Sequence, residues 1–352
     1  MAENNAQLPA RLQTEQIVQE ILRGIERERE REIVARRFGL FDRRETLEQI
    51  GEILGITRER VRQLEKSVVA HLKVQAEDGE LEQIIQVEQT LLDFLRGHGT
   101  VARVQEVSAD VAAENSRTDQ SRVAFLAMLC PQLVVLEDDD RYFYSIGIQP
   151  VRNTAALQAD IAAIMAAVEK IGKPASITEI AKVANIAETA QAAALASISK
   201  KLATLNGNWG LAKWPTVNPK NIRDKIYVIL QENGKHMHFN DIAAAIKNSD
   251  FKRKDVTTQA IHNELIKDKR FVLIGRGIYA LKEWGYKKGT VADTISEVLR
   301  EAGEPLHRDE IVKRVLKNRF VKETTILLNL QGKSQFKRVT KATYEFDDAT
   351  EV

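Results

Sequence analysis

The sequence predicts a mainly α fold: a helix-turn-helix followed by tandem winged-helix modules, each of three helices plus a β-hairpin. Three observations predict it. Residues 46–70 read as two amphipathic helices joined at a glycine. One spacing recurs four times: Leu95-x3-Gly99-x3-Arg103-x3-Val107, Val168-x3-Gly172-x3-Ser176-x3-Ile180, Leu230-x3-Gly234-x3-His238-x3-Ile242 and Leu299-x3-Gly303-x3-His307-x3-Ile311. Each repeat then closes on two apolar runs around a turn, as in RFVLIGRGIYALKEW and KLATLNGNWGLAKW. The glycines lie 73, 62 and 69 residues apart, and self-similarity at such a period marks one structural unit used repeatedly.

Taken in order, residues 1–26 are an amino-terminal helical lead, and residues 10–35 read as one helix whose GIERERERE stretch pairs alternating charges at i,i+4. Residues 27–76 form the helix-turn-helix. Thr46 and Gln49 make a capping box that starts its first helix, with Leu47, Ile50 and Leu54 on one face. Gly55 ends that helix, and Thr57 caps a second running to about His71, with Val61, Leu64 and Val68 as its buried stripe. Residues 77–150, 151–217, 218–288 and 289–352 are the four repeats. In each, a helix ends at the repeat glycine, a polar link follows, two more helices come next, and a strand–turn–strand closes the unit. Asn206-Gly207 and Gly275-Arg276-Gly277 are strong turn signals.

Composition narrows the function. The 352 residues carry a net charge of +2, with 43% hydrophobic and 29% charged side chains, which is globular. No apolar run reaches membrane-spanning length, so no membrane partner is expected. The start lacks a secretory pattern and Cys130 is the lone cysteine, so a reducing cytoplasm is expected, with no disulfide framework and no Cys-based zinc site. No HExxH, Cys-x-x-Cys or complete phosphate loop is present, and Gly332-Lys333-Ser334 reads as a helix end. His236 and His238 read as helix-start or packing residues, not metal ligands. The expectation is a protein that is not an enzyme, with no cofactor, no metal and no small-molecule substrate.

The small net charge hides an asymmetry. Residues 77–150 hold 5 basic and 14 acidic side chains, whereas residues 218–288 hold 15 and 8. A basic block is drawn to a phosphate backbone and an acidic one is repelled. Lys252, Arg253, Lys254 and Arg276 are therefore candidate secondary nucleic-acid contacts, the last at a wing tip. The acidic turn Glu137-Asp138-Asp139-Asp140 points to a protein contact or a spacer. On the helix-turn-helix, Arg58, Glu59, Arg62 and Gln63 face outward near the start of the second helix. Arg matches guanine O6 and N7, Glu accepts from cytosine N4, and Gln pairs with adenine, so the set suits major-groove reading. A generic charged helix carries the same residue types, and periodicity alone leaves both readings open.

The segment RRFGLFDRRETLEQIGEILGITRERVRQLEKSVVAHL resembles region 4 of the sigma-70 family of bacterial RNA polymerase sigma factors, from about Arg29 to Leu72, most specifically over Gly55–Glu65. The resemblance implies binding of the promoter −35 element as double-stranded DNA, and association with the β-flap of the polymerase core. It implies base contacts by Arg58, Glu59, Arg62 and Gln63. It implies phosphate contacts by Arg29, Arg37, Thr57 and the helix start at Leu47 and Glu48. A sigma factor also carries regions 2 and 3, whereas a repeat array follows the match here. Residues 221–286 resemble the HARE-type helix-turn-helix domain, also found in the polymerase δ subunit, and residues 290–346 resemble a divergent copy. The role these resemblances imply is a nucleoid-associated, sigma-related or δ-like accessory factor. A polymerase-binding scaffold that reads no DNA, and a specificity subunit of a restriction or repair system, remain the alternatives.

Overall fold

The computed structural model describes residues 11–148, 154–251, 253 and 255–347. It is mainly helical, with sixteen α-helices and twelve short strands among the described residues. The chain divides into two compact units, Met1–Lys213 and Trp214–Val352.

The amino-terminal unit opens with α1 (Thr14–Arg23), α2 (Glu28–Phe38), α3 (Leu47–Leu54) and α4 (Arg58–Glu77). The single helix expected over 10–35 is two. The break lies at residues 24–27, where Ile25 turns into the core and is buried. The lead is likewise no solvated appendage. Leu12, Val18, Ile21 and Leu22 are buried in one core with α5 (Glu82–Gly97), α6 (Val104–Val111) and α7 (Arg117–Leu129). The second helix of the helix-turn-helix also runs past His71 to Glu77, because Val68, Leu72 and Ala76 continue its buried stripe into that core.

Buried polar chemistry locks α1 to α7. The Arg122 guanidinium donates to the Leu40 carbonyl at 2.8 Å and pairs with Asp119 at 3.3 Å and Glu15 at 2.8 Å. Asp119 also accepts from the Ser116 amide and hydroxyl and from the Thr14 hydroxyl. Burial pushes the Asp119 carboxyl up, but these hydrogen bonds and the Arg122 charge outweigh it and hold the group below the usual aspartate range.

Each repeat folds with the same element order. The first adds β1 (Val101–Arg103) before α6, then β2 (Leu133–Leu136) and β3 (Ser145–Ile148). The second is α8 (Thr154–Ile171), β4 (Ala175–Ser176), α9 (Ile177–Ala184), α10 (Thr189–Ser197), β5 (Leu202–Leu205) and β6 (Asn208–Leu211). The third is α11 (Ile222–Asn233), β7 (Met237–His238), α12 (Phe239–Asn248), α13 (Thr258–Lys267), β8 (Phe271–Gly275) and β9 (Ile278–Leu281). The fourth is α14 (Val291–Ala302), β10 (Leu306–His307), α15 (Arg308–Asn318), α16 (Glu323–Gly332), β11 (Phe336–Thr340) and β12 (Thr343–Phe346). This is the expected three helices and hairpin with one addition. The polar link after each glycine contains a strand of two or three residues that pairs antiparallel with the second hairpin strand, giving orders β1-β3-β2, β4-β6-β5, β7-β9-β8 and β10-β12-β11. So short a strand carries no readable alternation.

The link residue closing that strand then starts the next helix. His238 accepts from the Asn240 amide at 3.2 Å and so caps α12, and His236 packs on the Phe320 ring at 4.6 Å. Gly332 ends α16, and Cys130 is a free, buried thiol.

In each unit an arginine takes part in the contacts between its repeats. In the amino-terminal unit Arg103 lies over the Phe143 ring at 3.9 Å and donates to the Ser197 carbonyl. The acidic turn is used inside the chain: Asp138 pairs with Lys200 at 3.0 Å, Asp139 holds Arg141, and Glu137 faces Arg44 at 3.7 Å. The contact expected of this turn is therefore with its own neighbouring modules. In the carboxy-terminal unit the buried Arg319 donates to Thr294 Oγ1 at 3.1 Å and to the carbonyls of Leu273 and Gly289, while the Phe320 amide donates to the Ile274 carbonyl at 2.9 Å.

Candidate nucleic-acid interface

The helix-turn-helix is built locally. The Thr46 hydroxyl accepts from the Gln49 amide and the Gln49 carboxamide accepts from the Thr46 amide, which starts α3 as a full capping box. Gly55 adopts φ +65° at its end, and the Thr57 hydroxyl accepts from the Arg60 amide at 3.2 Å to start α4. Ile33, Ile50 and Val61 are fully buried between α2, α3 and α4, with Leu47, Leu54, Ile56 and Leu64 packed against them.

One residue that sequence reasoning passed over sets the turn. A Cβ on Gly51 would lie 2.7 Å from the Ile56 carbonyl oxygen, a backbone atom that cannot step aside cheaply. Glycine to alanine in a helix ordinarily gains about 1 kcal/mol. Here Gly51→Ala is expected to lower stability instead, by about 1–3 kcal/mol, because overpacking against backbone outweighs propensity. Thermal unfolding of the full chain reads the sign, and a rise in melting temperature contradicts this account of the turn.

The four base-contact candidates all stand in solvent on the first two turns of α4, where Glu59, Arg62 and Gln63 form one network and Arg58 pairs separately. Arg58 pairs with Glu48 at 2.6 Å, with the two side chains 67% and 53% exposed. Glu59 accepts from Arg62 through both carboxylate oxygens, at 2.8 and 2.7 Å, and from Gln63 at 3.2 Å. Arg60 reaches the Gln63 carboxamide oxygen at 3.5 Å, a member of the network outside the expected set. The Arg62 hydrogen bonds, with help from Gln63 and the charges of Arg62 and Arg58, pull the Glu59 carboxyl down to about 2. Glu59 is therefore an obligate acceptor near neutral pH, suited to an amino group such as cytosine N4.

The phosphate-contact candidates divide. Thr57 is exposed, and its hydroxyl proton stays available while its oxygen caps α4. Leu47 and Glu48 occupy the first turn of α3, where amide N–H groups have no intrahelical acceptor. Arg29 is exposed but donates to the Leu54 carbonyl, closing the end of α3. Arg37 is half-buried, paired with Glu65 at 3.4 Å and bonded to the Glu45 carbonyl at 3.3 Å. These two arginines brace α2 against the helix-turn-helix.

The secondary candidates lie on the carboxy-terminal unit. Arg276 is exposed at the turn between β8 and β9. Arg253 is exposed in a left-handed conformation, φ +54°, with its carbonyl held by the buried Lys225 ammonium at 2.6 Å. Lys252 and Lys254 lie outside the described residues. Among the described residues there is no cluster of three or more metal-ligating side chains, and no helix is long and apolar enough to cross a membrane.

Comparison with known proteins bears on this same segment. Residues 27–74 match the family model "Sigma-70, region 4". The chain is 43% identical over 58 residues to "RNA polymerase sigma factor sigB" of Arabidopsis thaliana, a stretch covering 16% of this chain and 10% of that relative. The chain thus spans about a tenth of the length of the curated relative it matches. With the capped helix pair, the glycine turn and the outward polar face already in place, residues 27–74 are a sigma-70 region 4 domain set in a longer, mainly helical chain.

Proposed function

We propose that this chain is a non-enzymatic, cytoplasmic transcription protein that reads a −35-like promoter element through α4 and associates with RNA polymerase, with the β-flap as the docking site. The observation that carries the reading is the exposed set of Arg58, Glu59, Arg62 and Gln63 on the first two turns of α4, each side chain held by a neighbouring polar group, within the region 4 match. Arg, Glu and Gln there supply donors and acceptors that major-groove reading uses, on a helix whose buried stripe is packed from Val61 to Ala76. The resemblance of residues 221–286 and 290–346 to the HARE-type domain fits the same setting, as accessory modules.

The test uses the purified full chain at moderate salt. Binding to a −35-like duplex is expected to exceed binding to a scrambled duplex of equal length, and polymerase core is expected to co-sediment with the chain after nuclease treatment. Equal affinity for the two duplexes refutes the DNA-reading part; absence of co-sedimentation refutes the polymerase part.

A further inference from the structure

The hairpin turns of the four repeats differ in charge, and the acidic one meets the helix-turn-helix. The turns after β5, β8 and β11 are built on Asn206-Gly207, Arg276-Gly277 and Lys341-Ala342, which are neutral or basic. The turn after β2 carries Glu137, Asp138, Asp139 and Asp140, all exposed. Within the amino-terminal unit its first carboxylate faces Arg44, on the approach to α3, at 3.7 Å.

The acidic turn is held from behind. Asp139 Oδ1 accepts from the amides of Arg141 and Tyr142, both at 2.7 Å, which folds residues 139–142 onto themselves. Those bonds hold the Asp139 carboxyl below the usual aspartate range. The Lys200 ammonium, from the second repeat, donates to Asp138 at 3.0 Å and to the Asp139 carbonyl at 2.6 Å. Tyr142 also pairs with Ser199 in an antiparallel bridge. The second repeat thus fixes the turn, and the turn presents Glu137 to a third module.

Arg44 stands where a phosphate would arrive. Its guanidinium lies over the Tyr144 ring at 5.4 Å, and its side chain is 37% exposed. Thr46 caps α3 two residues later, and the free first-turn amides at Leu47 and Glu48 follow. Three residues of chain span at most about 11 Å, close to the Debye length of about 10 Å at 0.1 M salt. A DNA backbone drawn to those amides therefore comes within the field of Arg44 and of the carboxylate that Arg44 already faces. One cation then has two anions competing for it.

We infer that the turn 137–140 is an intrachain brake on DNA binding, in which Glu137 holds Arg44 against a backbone phosphate seated at the start of α3. The inference rests on duplex binding by the helix-turn-helix, but not on its base preference. Displacing Glu137 frees Arg44 to add one phosphate contact, and the other carboxylates of the turn oppose the backbone until that contact forms.

The experiment is anisotropy titration of the full chain with a scrambled duplex over a series of salt concentrations, which reads phosphate contact without base reading. Glu137→Gln keeps the shape and removes the charge. It is expected to raise affinity about two- to fivefold, the worth of an exposed ion pair, and to steepen the salt slope by about one. Glu82→Gln, at the exposed start of α5, changes net charge equally and measures the general effect. In a chain carrying Arg44→Ala, Glu137→Gln is expected to gain no more than Glu82→Gln does. The inference is overturned if Glu137→Gln gains no more than Glu82→Gln in the wild-type background, or if its gain is the same with and without Arg44. A chain that binds no duplex overturns both the brake and the DNA-binding reading. A chain that binds −35-like and scrambled duplexes equally refutes base reading alone, and the brake is still measured on the scrambled duplex.

Discussion

Arg122→Ala is expected to cost the amino-terminal unit about 3–5 kcal/mol, the range for removing one partner of a buried charge pair. The side chain is buried, and it serves three acceptors on three segments: the Leu40 carbonyl after α2, Asp119 on α7 and Glu15 on α1. Removing it strands the Asp119 carboxylate at 7% exposure with only hydroxyl and amide donors, and leaves the Leu40 carbonyl without this donor. The exposed Glu15 contributes little to the loss, because water solvates it readily. Because the Asp119 carboxyl is depressed in the fold, its contribution is fully present above the unfolded aspartate value of about 3.9 and is lost as pH falls through the lower folded value. Urea unfolding of the full chain is expected to show the amino-terminal transition moved to lower denaturant in Arg122→Ala, with the carboxy-terminal transition unmoved. The wild-type amino-terminal transition is expected to weaken only below about pH 4. An Arg122→Ala curve that overlays the wild type contradicts this account of the core.

The contrast between what the sequence revealed of α4 and of α1 has a physical origin. The start of α4 rests on signals within a few residues of one another: the Thr46–Gln49 box, Gly55, the Thr57 cap and the i,i+3 and i,i+4 pairs from Glu59. Such interactions are set by helix geometry and are written in the local order of residues. The fate of α1 depends on Arg122 and Asp119, about a hundred positions away, and no local pattern names that partner. The end of α4, residues 72–77, was hidden for a related reason. Its stripe ends on Ala76 among charged neighbours, too dilute to distinguish a buried turn from a frayed end.

The acidic turn and Gly51 show the same limit from the site's side. Glu137, Asp138 and Asp139 were legible as repelling DNA, but their pairing with Arg44, Lys200 and Arg141 spans up to 93 positions. Gly51 carries no local signal, since the Ile56 carbonyl that forbids a side chain there is placed by the turn, not by the helix. Arg29 and Arg37 carry charges that suit phosphate, and only coordinates show how much of each guanidinium is engaged in bracing α2. The residue types of the proposed base-contact set were all readable; the pairing of Arg58 with Glu48 and of Gln63 with Arg60 was not.

That pairing shapes the second large effect. Arg58→Ala and Gln63→Ala are each expected to reduce discrimination between a −35-like and a scrambled duplex by about 1–3 kcal/mol. In the free chain Arg58 and Arg62 are held by Glu48 and Glu59, and these pairs are exposed on both sides. Exposed pairs of this kind are worth about 0–1 kcal/mol, so releasing them for a base edge costs less than a bidentate contact returns. The network thus pre-positions the guanidiniums without trapping them. Because Arg62 and Gln63 share Glu59, Arg62→Ala and Gln63→Ala are expected to be non-additive, and a double-mutant cycle measures the coupling.

Glu59 supplies the sharpest check. In the free chain the Glu59 carboxyl is held down to about 2, so it meets DNA already ionised, and the wild-type preference is expected to stay flat as pH falls from neutral toward 4. Arg62→Ala removes the hydrogen bonds that contribute most to the depression, so the Glu59 carboxyl moves back toward the ordinary glutamate value of about 4.3. In that variant the remaining preference is expected to fall between about pH 5 and 4, as protonation converts an acceptor into a donor facing an amino group. Anisotropy titrations of both proteins across this range decide the matter. An Arg62→Ala preference that stays flat across this range removes Glu59 from the proposed base contacts, and leaves α4 with Arg58, Arg62 and Gln63 alone.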